Sequence, residues 1–96
     1  MEQLPDSFDE LCEALAALRT REEAAAFLRD ACTISELEAI AHRLAVARLL
    51  DAGGMTYLEI ARAVGTSTTT VTRVAHWLRH GNGGYRIALD RLQEPA

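Results

Sequence analysis

Thr66, Ser67, Thr68, Thr69 and Thr70 form an unbroken run of hydroxyl side chains, and Thr72, Arg73 and Arg79 follow it within ten residues. Short hydroxyls bond phosphate oxygens and base edges, a threonine methyl packs on a thymine methyl, and guanidinium groups neutralise phosphates. If the run opens a helix, the free N–H groups of the first turn add an anion-binding end. Base contact is expected foremost from Thr68, Thr69 and Thr72, with Ser67 and Thr70 beside them. Arg62, Arg73 and Arg79 are expected to contribute charge for backbone contacts. A Ser/Thr-rich helix start is also good capping chemistry, so some of these hydroxyls are expected to serve only the helix.

Such residues reach a groove only if two helices present them. The first helix needs a small residue where the second crosses it, and Ala61 stands at that offset. Four positions later the turn needs a residue that tolerates a left-handed backbone, and Gly65 stands there. Ile60, Val64, Val71 and Val74 occupy the offsets that fill the wedge between the helices. Residues 56–80 therefore read as a helix-turn-helix, with a reading helix over 68–80.

The rest of the chain reads as helix as well. Ser7 is placed to cap a helix over about 7–18, with Phe8, Leu11, Cys12, Leu15 and Leu18 on one face. Thr20 with Glu23, Thr33 with Glu36 and Thr56 with Glu59 have capping-box spacing, opening helices over 21–31, 34–52 and 57–64. Ser67 caps 68–80. Gly53-Gly54, Gly65 and Gly81 mark stops. Gly81-Asn82-Gly83-Gly84 is a turn, followed by a last helix over 85–92. Alternating β-branched runs are lacking outside 66–72, so the fold class is all-α with six helices.

The 96 residues suit one domain, divided into helices over 7–52, the helix-turn-helix over 56–80 and the helix over 85–92. A chain this small has a thin core, yet 49% of it is hydrophobic, which predicts that a second copy completes the core. Net charge is −4, but residues 1–52 carry five Arg against eleven Asp or Glu, whereas residues 53–96 carry five Arg against three acids. The acidic half suits a solvated scaffold and the basic half can face a polyanion. Cys12 and Cys32 have no ligand or redox spacing and read as two reduced, buried thiols. The acidic N-terminus lacks a signal-peptide pattern and no apolar run approaches the ~20 residues of a membrane span, so a cytoplasmic protein is expected.

Other constellations weigh less. His76 and His80 have the i, i+4 spacing of a two-histidine metal site, but without a third ligand or an HExxH pattern they read as polar residues at a helix C-terminus. His42 reads as a helix-face residue. Glu22/Glu23 and Asp9/Glu10 read as solvated charge. Nucleophile-elbow, P-loop and dinucleotide patterns do not occur, so neither an enzyme nor a cofactor is expected.

The stretch Thr33-Ile-Ser-Glu-Leu-Glu-Ala-Ile-Ala-His-Arg43, with Thr56 through Arg73, resembles the Trp repressor superfamily. Val71-Thr72-Arg73 and the later Gly81-Asn82-Gly83-Gly84-Tyr85 are similar to its small relatives of the YerC/YecD type. The resemblance covers about residues 8–92. It implies an intertwined homodimer in which the first three helices interlock, with the fourth and fifth forming the DNA-reading head. It further implies a pseudo-palindromic double-stranded operator and, by default, repression. In the Trp repressor a tryptophan lies beside the reading helix between two arginines. Their matches here are Arg43 and Arg73, and Thr33 matches a pocket threonine. Two positions depart from that pattern: Val74 stands where the repressor keeps a small residue, and Trp77 replaces a serine that helps hold the ligand.

The expectation is a sequence-specific transcriptional regulator whose ligand pocket, made of Thr33, Arg43, Arg73, Val74 and Trp77, is occluded and takes no tryptophan. The Trp77 indole either fills that pocket or packs in a dimer core. The competing class is a helical protein-docking or dimerisation module that does not bind DNA.

Overall fold

A computed structural model describes residues 3–94 as six α-helices, with no strand among them. They are α1 (Phe8–Ala17), α2 (Arg21–Ala31), α3 (Ile34–Ala52), α4 (Tyr57–Val64), α5 (Thr68–His80) and α6 (Gly84–Gln93). The bounds of α2, α3, α4 and α5 coincide with those the capping pattern predicts. At α3 and α4 the boxes close in both directions: Thr33 and Thr56 accept from the N–H of Glu36 and Glu59, each at 3.1 Å, and each glutamate accepts the threonine's own N–H at 2.8 Å.

Three helix starts differ from expectation. Ser7 makes no side-chain cap, because its backbone (φ −85°, ψ 5°) is already turned where a cap residue must be extended. The first helical N–H, that of Phe8, is taken by the Pro5 carbonyl at 3.0 Å. At α2 Thr20 caps the Glu23 N–H as predicted, but Glu23 reaches one residue too far back and accepts from Arg19 N–H at 2.8 Å, so the box is not reciprocal. The last helix begins one residue early, on Gly84, after a left-handed Gly83.

The chain divides into two compact units, with the boundary between Leu37 and Glu38, inside α3. In the first unit α1 and α2 bury no residue, and Phe8, Leu11, Leu15 and Leu28 stand 36–44% exposed. The two cysteines, expected to be buried, are not: Cys12 is exposed and Cys32 half-buried. The second unit has a core of Val46 and Ala47 from α3, Ile60 and Ala61 from α4, Val71 and Val74 from α5, and Leu89 from α6. The second half of α3, assigned by sequence to the scaffold, thus belongs to the core that carries the helix-turn-helix. Asp51 near the end of α3 clamps α6 from outside: Arg86 donates to both its carboxylate oxygens, at 2.6 and 3.0 Å, and also to Asp90 at 2.9–3.0 Å.

Candidate nucleic-acid interface

The turn between α4 and α5 is set by Gly65. Its φ of +83° lies in the left-handed region, where a side chain is disfavoured. That conformation lets the N–H groups of Gly65 and Thr66 both reach the Ala61 carbonyl, at 2.9 Å, closing α4 and turning the chain. Ala61 itself is buried against α5, where a larger residue would hold the helices apart. Val71, Val74 and Ala75 are buried on one side of α5. Thr69, Thr72, Arg73, His76 and His80 are exposed on the other, at spacings of three and four that place them on one stripe. The wedge predicted from sequence is in place, with Ile60, Val71 and Val74 buried and Val64 half-buried.

The hydroxyl run divides by role. Ser67 Oγ accepts the Thr70 N–H at 3.1 Å and lies 3.2 Å from Thr70 Oγ1, so both side chains are engaged at the helix start, and Thr70 is half-buried. Thr72 is exposed and donates its hydroxyl proton to the Thr68 carbonyl at 3.0 Å, so its hydroxyl has acceptor capacity alone left to offer. Thr68 and Thr69 are exposed, and their hydroxyls have no partner among the described residues.

Electrostatics favour an anion on this surface. Residues 56–80 contain Arg62, Arg73 and Arg79 against one carboxylate, Glu59. All three arginines are exposed, without a carboxylate partner among the described residues. The Glu59 carboxylate is turned back into its capping box, where hydrogen bonds from the Thr56 backbone and then its hydroxyl hold it below the usual carboxylate range.

Two of the five residues expected around a ligand pocket line the same groove. Arg43 and Trp77 border an open groove of about 590 Å³, together with Ile40, Leu44, Tyr85 and the Gly81–Gly84 turn. Trp77 is 55% exposed, and its ring meets His76 edge-on with centroids 5.1 Å apart. Val74 is in the buried core. Arg73 is exposed on the stripe described above, and Thr33 is spent on the α3 cap. Sequence reasoning missed the α6 side of this groove, which lies far along the chain from Arg43. It also missed Asp51 as a partner of Arg86, although Arg86 and Asp90 have a legible i, i+4 spacing. His76 and His80 face each other with centroids 5.2 Å apart. The described residues contain no group of three or more His, Cys, Asp or Glu placed to hold a metal ion. They also contain no helix long and apolar enough to cross a membrane.

A small buried alanine, a left-handed glycine and a hydroxyl- and arginine-bearing second helix define a helix-turn-helix protein. More particularly, the family model described as Trp repressor protein matches residues 6–93, and the chain belongs to that family of DNA-binding regulators. The Bacillus subtilis (strain 168) protein YerC is 43% identical over 86 residues, spanning 90% of this chain and 82% of that one. The crystal structure of a Trp repressor-like protein from Staphylococcus aureus is 36% identical with a TM-score of 0.84, covering 97% of this chain and 92% of its own. A TrpR-like protein from Eubacterium eligens ATCC 27750 gives the same identity and TM-score, with 96% and 94% covered.

Proposed function

We propose that this protein is a sequence-specific, DNA-binding transcriptional regulator that acts as a homodimer, reads the major groove with α5 and does not use tryptophan as corepressor. The observation that carries the reading is the stripe on α5. It is exposed, polar and cationic, free of aliphatic residues, and opens with unpartnered Thr68 and Thr69 at the end of the helix that enters a groove first. A protein-docking face would carry an apolar patch there. Repression is the default role in this family, and a two-fold protein suits a pseudo-palindromic operator.

Dimerisation is supported by the first unit. Two helices of ten and eleven residues that bury nothing are too short to be stable alone in water, so their apolar faces need a cover. Independence from tryptophan is supported by Val74, whose side chain is packed into the core at the position that must stay small for an indole beside the reading helix. Trp77 adds its own indole to the groove wall beside Arg43.

Selection of bound sequences from a random duplex pool, with and without L-tryptophan, tests all three points. The expected result is a two-fold-related consensus that is unchanged by tryptophan. Recovery of no enriched sequence would refute specific DNA reading, and enrichment only with tryptophan would refute ligand independence.

A further inference from the structure

His76 and His80 continue the stripe of Thr69, Thr72 and Arg73 toward the C-terminal end of α5. At 1.5 Å per residue, they lie roughly 10 and 16 Å along the axis from Thr69. The major groove is only about 12 Å wide. With the hydroxyl end of α5 among the bases, His76 therefore reaches the edge of the groove and His80 lies beyond it, at the level of the phosphate wall. A neutral imidazole offers a phosphate one N–H; a protonated one offers a charge and displaces a counterion.

The surroundings leave both rings available for that contact. Both are exposed and stand against each other, and His76 also meets Trp77. Neither has a carboxylate partner among the described residues. The ionisable groups of the packed elements are Arg73 and Arg79 on α5 itself, Tyr57, Glu59 and Arg62 on α4, Glu38, His42, Arg43, Arg48 and Asp51 on the part of α3 that belongs to the second unit, and Tyr85, Arg86, Asp90 and Arg91 on α6. Glu59 is held in its cap, and Asp51 and Asp90 are held by Arg86.

We propose that His76 and His80 form a phosphate-contact site that engages when protonated, so that DNA affinity rises as the pH falls through the histidine range. This rests on the DNA-reading role of α5 but needs no knowledge of the operator, because phosphate contacts are independent of sequence. Binding to a mixed-sequence duplex of about 30 base pairs is measured at about pH 8 and about pH 5.5, in about 0.1 M salt with a chelator present. Each phosphate newly neutralised strengthens binding by about eightfold at that salt concentration and steepens the salt dependence by about 0.9. The wild-type protein is expected to show this gain. H76Q/H80Q should be flat in pH, H76K/H80K should bind tightly at both pH values, and H42Q should keep the wild-type dependence. Wild-type binding that is independent of pH, or an unchanged dependence in H76Q/H80Q, overturns the proposal and leaves the DNA reading intact. Failure to bind any duplex at either pH overturns both.

Discussion

Thr69 and Thr72 lie one turn apart on the exposed side of α5, and their hydroxyls differ in what remains to offer. Thr69 keeps donor, acceptor and methyl, whereas Thr72 has given its proton to the Thr68 carbonyl. T69A is therefore expected to change preference at one operator position by ~1–3 kcal/mol. At Thr72 the methyl is expected to carry more of the proposed contact, so T72S should lose discrimination nearly as far as T72A. Competition binding against single-base operator variants reads both, and equal affinity across those variants for T69A and wild type would remove Thr69 from the interface. The arginines act differently: R73A and R79A should each weaken binding to all duplexes and lower the salt slope by about 1. Ser67 and Thr70 also carry the hydroxyl signature in sequence. Their hydrogen bonds at the helix start give them a capping role, whereas the hydroxyls of Thr68 and Thr69 have no partner among the described residues.

At the scale of elements, the α4–Gly65–α5 unit depends on one backbone conformation. No neighbour lies within 4 Å of a Cβ placed on Gly65, so G65A has room, and its cost is the left-handed φ alone, about 1–2 kcal/mol. Thermal unfolding checks this, and an unchanged midpoint would mean that the turn relaxes. Gly81 is constrained in the opposite way: a Cβ there collides with the Trp77 carbonyl, so even alanine must shift the end of α5. Acid sensitivity also belongs here. Hydrogen bonds from Arg86 lower the pKa of Asp51, and those from the backbone and hydroxyls of Thr33 and Thr56 lower Glu36 and Glu59. Each folded-state pKa lies below its unfolded value, so the stabilisation is complete above the unfolded value and is lost as pH falls through the folded one. Stability is expected to be flat near neutrality and to drop below about pH 5, less steeply in D51N. Denaturant midpoints measured across that range provide the check.

At the scale of the whole molecule, the proposed dimer makes stability depend on concentration. The thermal midpoint should rise with protein concentration, because association favours the folded chain by mass action. L15D, which puts a charge on the exposed apolar face of α1, should sediment as a monomer and lose operator affinity. A wild-type sedimentation profile that is monomeric at micromolar concentration removes the dimer. L-tryptophan titrated into the protein should give no binding isotherm.

The sequence by itself determined the helices and their ends, because those signals are local. A Thr and a Glu three residues apart, or a glycine after an apolar stripe, act within one turn of backbone, and α3, α4 and α5 begin and end where those residues stand. Where a cap competes with its neighbours, as at Ser7 beside Pro5, the same signal misleads. The wedge of the helix-turn-helix was legible for a related reason: its offsets, from Ile60 to Val74, lie close together in the chain. Only the tertiary structure decided what joins distant segments. The Asp51–Arg86 clamp spans 35 positions, and the groove pairs Arg43 with Trp77 and Tyr85. It also showed that half of α3 shares a core with α4, α5 and α6 while α1 and α2 bury nothing. Such contacts depend on how helices pack, and apolar periodicity shows which face of a helix is buried without showing what covers it.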